Sequence, residues 1–256
     1  MKFRPKDLIS RLTPPVYMAR GARSDGLDSR LVSYTDKDSY IAEQYRMLQA
    51  YLHALAGSIG GDKSLKSIII TSGLPREGKT ITCGNLAITL ASSGEKKVVL
   101  VDCDLRKPDI HKIFNVSRSP GISDIINGKC SVKDILKAPA FGNLYILPSG
   151  SEISNVYELL RCREMQELFD ALKPSFDYAI IDTPPVMPVF DSRILAGMCD
   201  AVILVARCGA TSKKTAKEAF NLLDTTHSKP IGCILTDYQA PLYRYEGYSS
   251  YFKAQK

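Results

Sequence analysis

Three groups of residues in this chain have the types and spacing to handle a phosphate chain and a divalent cation. The first is Ser72-Gly73-Leu74-Pro75-Arg76-Glu77-Gly78-Lys79-Thr80, with Gly73, Gly78, Lys79 and Thr80 at the defining positions of G-x-x-x-x-G-K-[ST]. The glycines let the backbone curl so that successive N–H groups, from Gly73 through Glu77 and Gly78 to Ile81, face phosphate oxygens. Lys79 then neutralises the β- and γ-phosphates, and the Thr80 hydroxyl takes a position on Mg²⁺. The second group is Asp102 and Asp104, two apart at the end of an apolar run and followed by Arg106. The third is Asp182, which ends another apolar run and is followed by Thr183-Pro184-Pro185, a Walker B arrangement. A charged surface turn explains either carboxylate group taken alone. Two strand-terminal aspartates in a chain with a phosphate loop converge on one ion.

These groups need strands that end side by side. Ser67–Thr71, Lys97–Asp102, Leu144–Pro148, Asp177–Asp182, Ala201–Ala206 and Ile231–Thr236 all read as short strands, the first two of them buried. Helical segments alternate with them: 81–92, 156–172 with a break near Cys162, 191–198 and 211–223, with short helices and turns over 109–142. Such βα alternation predicts an α/β fold, a mostly parallel doubly wound sheet flanked by helices. Ligands bind at the carboxyl ends of its strands, where all three groups lie. A further helix is expected from Tyr40 to Leu55, capped by Asp38 or Ser39, with Ile41, Tyr45, Leu48 and Leu52 on one face. Residues 1–36 mix Pro, Gly, Ser and basic residues and read as a flexible, disorder-leaning arm before a domain spanning 37–236. The last segment, 237–256, is a tail with five of the 13 tyrosines. Packing of that tail on its own domain or on a partner is the plain reading of the segment alone.

With 45% hydrophobic and 24% charged residues, the chain has an ordinary globular composition. It contains no apolar run near the roughly 18–20 residues that span a bilayer, and no secretory h-region follows the N-terminus. The seven cysteines stand singly without C-x-x-C spacing, which predicts buried reduced thiols in a cytosolic protein. His53, His111 and His227 have no ligand-spaced neighbours. A formal charge of +7 permits anionic partners, but no recognition motif points to a specific nucleic acid.

Gly73–Thr80, Val98–Arg106, Ala179–Pro185 and the tyrosine tail together resemble the bacterial tyrosine kinases of capsule and exopolysaccharide loci, from about residue 37 to the end. The related ParA and MinD ATPases share the first three approximately, and the tail distinguishes the kinases. The resemblance implies a P-loop NTPase that uses ATP and Mg²⁺ to autophosphorylate tail tyrosines: Tyr238, Tyr243, Tyr245, Tyr248 and Tyr251. It implies transfer between subunits and control of polysaccharide polymerisation and export. A separate membrane-anchored polysaccharide co-polymerase would be the activator, a cognate tyrosine phosphatase the opponent, and the inner face of the cell membrane the cytoplasmic place of work. On this reading Thr80, Asp104 and Asp182 surround Mg²⁺, and Asp102 is the preferred acceptor of the tyrosine proton, whose pKa is near 10. Asp102 and Asp104 can exchange roles, and Arg106 steadies the carboxylates, touches phosphate or forms a structural ion pair. Extended, a tail of about 20 residues reaches roughly 65 Å, enough to enter a neighbour's site.

Three departures from the family pattern are visible. Arg76 follows Pro75 where P-G-E-G-K is usual; Gln49 replaces the last arginine of E-x-x-R-x-x-R after Glu43 and Arg46; and the last strand ends Thr236-Asp237 instead of Asn-Asp. Gln49 predicts a monomer, or rings weaker than the family pattern implies. Two rival functions stand beside the kinase: a ParA/MinD-type ATPase switch, and a nucleotide-binding pseudokinase scaffold.

Overall fold

The computed structural model describes residues 26–58, 65–136, 142–224 and 229–238. In chain order, α1 (Val32–Thr35) and α2 (Tyr40–Ser58) precede β1 (Ser67–Ser72), and α3 (Lys79–Ala91) leads to β2 (Val98–Asp102). Three short helices, α4 (Ile110–Ile113), α5 (Ile122–Ile126) and α6 (Val132–Ile135), separate β2 from β3 (Leu144–Leu147). Then come α7 (Val156–Arg161), α8 (Arg163–Leu172), β4 (Tyr178–Asp182), α9 (Asp191–Ala196), β5 (Ala201–Arg207), α10 (Lys213–Asp224) and β6 (Lys229–Thr236). All six strands are parallel, in the order β3-β2-β4-β1-β5-β6.

Strands covered on both faces need apolar residues at every position, not alternate ones. Ile68, Ile69, Ile70, Val98, Val99, Leu100 and Val101 are all fully buried. Because successive side chains point to opposite faces, Ile68, Ile70 and Leu100 pack with Leu86 and Leu90 of α3. Ile69, Val99 and Val101 pack on the other face with Leu160, Leu168 and Phe169 of α7 and α8. Each such aliphatic side chain contributes about 1.5–3 kcal/mol on burial. Asp102 of β2 lies in register with Asp182 of β4, and β4 is flanked on its other side by β1. The strand order alone thus brings both carboxylate groups beside the glycine loop that follows β1.

The structure differs from the sequence expectations at three places. The arm does not run to residue 36, because 26–36 packs on the domain. Leu31 is fully buried, set against Gly84 of α3, where a Cβ would meet Leu31 Cδ2 at 2.7 Å. Asn85 donates to the Arg30 carbonyl at 2.9 Å and accepts the Ser33 N–H at 2.8 Å. In α2, capped by Ser39, whose Oγ accepts the Ala42 N–H at 3.1 Å, Ile41 is 51% exposed and Ala42 takes the inward place expected for it. Of the seven free cysteines, Cys83, Cys103 and Cys199 are buried, but Cys208 and Cys233 are exposed on the β5–β6 side. The expected break at Cys162 is present: extended backbone there (φ −70°, ψ 158°) separates α7 from α8.

Candidate functional site

The glycine loop is held from three sides. The segment after β4 latches its first turn, the Val186 and Met187 N–H groups donating to the Ser72 and Gly73 carbonyls at 2.8 and 3.3 Å. Gly73 lies against α10, where a Cβ would stand 3.3 Å from Ala219 Cβ. Gly78 adopts a left-handed φ of 92°, and a side chain there would meet Thr236 Cγ2 at 3.1 Å. Both the backbone and the space demand glycine. Arg76 is left-handed too, at φ 66°, with its side chain exposed. α3 begins at Lys79, its first backbone bond running from the Thr82 N–H to the Gly78 carbonyl at 2.9 Å. The amides of Thr80 and Ile81 therefore open the helix, where intrahelical partners are lacking and an anion is favoured.

The Glu77 side chain does not face a phosphate. It is 3% exposed, accepts the Leu74 N–H at 2.8 Å and accepts the Thr211 hydroxyl. Its backbone carbonyl accepts the Thr236 hydroxyl at 2.7 Å. It braces the loop from inside.

Lys79 reaches across to the carboxylates. Its Nζ lies 2.8 Å from Asp104 Oδ2, 3.4 Å from Thr80 Oγ1 and 4.0 Å from Asp182 Oδ1. Burial works against its charge, but Asp182 and Asp104 outweigh that and hold the ammonium above the ordinary lysine range. Burial pushes Asp182 up to about 6; Lys79 lowers it and Asp104 raises it. Asp102 is 0% exposed, with Oδ2 accepting the Ile110 N–H at 3.1 Å. Burial, and then the Asp182 charge, raise it well above the carboxylate range.

The other sequence candidates lie apart from this cluster. Arg106 forms a two-point ion pair with Asp191 at 2.6 and 3.0 Å, so of its three alternatives the structural ion pair is the one observed. In the sequence Asp191 marks only a helix start; nothing local ties it to a partner 85 residues away. Tyr238 is 53% exposed just beyond β6. Tyr243, Tyr245, Tyr248 and Tyr251 lie outside the described residues. The pairing of Thr211 and Thr236 with Glu77 also escaped the sequence, since single threonines carry no positional signal.

This residue set fits a Mg²⁺·nucleotide. Oδ1 of Asp102 and Oδ2 of Asp182 are buried without a hydrogen-bond partner. Unpaired acceptors on adjacent strand ends suit a cation. Among the described residues no group of three or more His, Cys, Asp or Glu would hold a metal by itself. Mg²⁺ at phosphate sites takes one or two carboxylates and completes its shell with phosphate and water, so that is the expected donor set.

Comparison with known proteins bears on the fold and the family. An AAA domain family model matches residues 68–231. The chain is 35% identical over 216 residues to the tyrosine-protein kinase YwqD of Bacillus subtilis, covering 84% of this chain and 89% of that protein. The tyrosine-protein kinase ptk of Acinetobacter johnsonii is 29% identical, and the match spans only 28% of its length. Among solved structures, the chimerical protein CapA2B2 superposes with a TM-score of 0.75 at 30% identity, over 81% of this chain and 89% of that one. The kinase domain of the Escherichia coli tyrosine kinase ETK gives 0.79 at 25% identity, over 87% and 85%. MinD of Pyrococcus horikoshii, complexed with Mg-ADP, shares the fold at 23% identity and a TM-score of 0.57, over 72% and 76%.

Proposed function

The chain belongs to the bacterial tyrosine-protein kinases, within the AAA-domain P-loop proteins, and from that premise we propose that it transfers the γ-phosphoryl group of ATP to tyrosines of its own tail. The observation that carries this reading is the Lys79–Asp104–Asp182 cluster beneath a glycine loop. Mg²⁺, when bound, would neutralise phosphate charge, held by Thr80 and Asp182 with Asp102 behind them. Lys79 and the loop amides orient the phosphates. A tyrosine oxygen then forms a bond to phosphorus as the bond to ADP breaks, and its proton passes to a carboxylate.

The exposures favour Asp104 over Asp102 as that acceptor, reversing the preference drawn from sequence. Asp102 has no exposed surface and already accepts the Ile110 N–H. The Asp104 side chain keeps 6% exposure and is freed when Lys79 turns to phosphate.

The wider role we infer is regulation of capsule or exopolysaccharide polymerisation and export. It would be exercised at the inner face of the cell membrane with a membrane-anchored co-polymerase and opposed by a tyrosine phosphatase. No described helix is long and apolar enough to cross a membrane. Self-association is expected to be weak: Arg46 is engaged internally, bonded to Glu43 at 2.6 Å and to the Lys37 carbonyl at 2.7 Å.

The test is incubation of the pure chain with Mg·ATP, with and without a candidate activator, followed by phosphotyrosine mapping. Phosphate on Tyr238, Tyr243, Tyr245, Tyr248 or Tyr251 upholds the kinase. Phosphate release without phosphotyrosine moves the reading to an ATPase switch, and nucleotide binding with neither moves it to a pseudokinase scaffold.

A further inference from the structure

The end of β6 is tied to the glycine loop through a closed circuit of polar contacts. Thr236 Oγ1 donates to the Glu77 carbonyl at 2.7 Å, 159 positions back along the chain. The next residue, Asp237, sits at φ 56° and accepts two bonds from Arg207, at 3.0 and 2.9 Å. The Arg207 backbone N–H donates to Thr211 Oγ1 at 2.9 Å, and the Thr211 hydroxyl donates to the Glu77 carboxylate. From Glu77 the circuit therefore returns to Glu77.

Its consequence follows from the planarity of the peptide bond. The Glu77 carbonyl and the Gly78 N–H share one peptide plane and point in opposite directions. Pinning the carbonyl on Thr236 fixes the aim of the Gly78 amide, one of those offered to phosphate. The Thr236 methyl also closes the space beside Gly78, where a Cβ would stand at 3.1 Å. Thr211 fixes the other end of the brace, since the carboxylate it bonds also holds the Leu74 N–H at 2.8 Å. The same threonine pair meets Arg207, whose guanidinium holds Asp237, the first residue of the tyrosine-bearing tail.

We propose that Thr236 and Thr211 are positioning residues for the phosphate loop, acting through Glu77, and that nucleotide occupancy and the placement of the tail root are thereby one coupled equilibrium. The proposal rests on reading the loop as a nucleotide site. Coupling of this kind is reciprocal: whatever nucleotide does to the tail root, loss of the root contacts does to nucleotide affinity.

The experiment measures Mg·ADP binding by calorimetry on the full chain and on Thr236→Val, Thr236→Ser and Thr211→Val. Hydrogen exchange of the Cys208 N–H, which donates to the Thr236 carbonyl at 2.9 Å, reports the tail root. Loss of one hydroxyl donor weakens Mg·ADP binding about five- to tenfold in Thr236→Val and Thr211→Val, and Thr236→Ser restores it. Mg·ADP slows Cys208 exchange in the parent chain and in Thr236→Ser but not in Thr236→Val. Thr211→Val gives an independent answer if Thr236→Val does not fold. Binding by both valine variants equal to the parent overturns the proposal, as does failure of Thr236→Ser to rescue. A parent chain that binds no Mg·ADP overturns the reading of the loop itself, a distinguishable result.

Discussion

Nζ of Lys79 stands 2.8 Å from Oδ2 of Asp104, both side chains nearly buried, so the loop lysine is already partnered before any phosphate arrives. Binding must exchange that carboxylate for phosphate oxygens. Lys79→Met is expected to abolish Mg·ATP-dependent transfer. It also strands Asp104 and Asp182 without a cation, which costs roughly 3–5 kcal/mol in the limit where neither protonates. Adding Asp104→Asn to Lys79→Met should recover part of that stability without recovering transfer. Urea unfolding of the single and double variants checks this. Equal stability of Lys79→Met and the parent would show that the ion pair contributes nothing.

Asp182 gives the chain without nucleotide and Mg²⁺ a defined pH dependence. Its folded-state pKa of about 6, set first by burial, exceeds the ordinary value of about 3.9. A raised folded pKa means the folded chain holds that proton more tightly than the unfolded chain does. This contribution is therefore full below pH ~4 and is lost as pH rises towards about 6. About two pH units correspond to roughly 3 kcal/mol. Asp182→Asn should flatten unfolding free energies measured in EDTA across that interval and leave the variant more stable above it. An unchanged slope would mean that another group titrates there.

Arg76 occupies a left-handed conformation that costs a non-glycine residue about 1–2 kcal/mol, partly offset by the greater unfolded-state entropy of glycine. Arg76→Gly is expected to stabilise the chain by about 0.5–1 kcal/mol, whereas Arg76→Ala should not. Thermal unfolding decides. If transfer is unchanged in both, the exposed cation plays no part beside the phosphates.

Leu31 is fully buried against Gly84, just outside the expected domain boundary. Leu31→Ala should cost about 2–5 kcal/mol, and removal of residues 1–36 should destabilise the domain far more than removal of 1–25. Matching stability of the two truncations would return the boundary to residue 37.

The central strands were legible because they are unbroken aliphatic runs, as in Ile68–Ile70 and Val98–Val101, which a doubly covered sheet demands; the edge strand β6, with no buried residue over 230–236, is not such a run. The carboxylates were legible because a charge ends such a run. Contacts between single residues remote in sequence were not: Leu31 sits in a short mixed stretch with no clear period, and its slot is made by a glycine 53 positions on. Arg106 with Asp191, and Thr236 with Glu77, are likewise set by strand order and not by local pattern. The difference in exposure between Asp102 and Asp104, on which the proposed choice between them rests, is not contained in the sequence.

The tail is expected to be substrate and switch together, and the position of its root sharpens how this is tested. Tyr238 follows Thr236, which bonds the Glu77 carbonyl of the phosphate loop, and Asp237, which Arg207 holds. Each phosphate adds close to two negative charges at neutral pH. Several of them would repel the tail from a site that holds ATP and three aspartates, at ionic strengths where screening is incomplete. Phosphorylation should then release the tail and loosen any subunit contact that it bridges. A chain truncated after Tyr238 retains the Asp237–Arg207 contact and the whole described site, and it is mixed with full-length Lys79→Met. Transfer between subunits places phosphate on Tyr243, Tyr245, Tyr248 or Tyr251 of the inactive partner, detected by mass spectrometry. If the truncated chain hydrolyses ATP and no phosphate reaches that partner, the tail is not a substrate in trans and the ATPase-switch reading takes precedence.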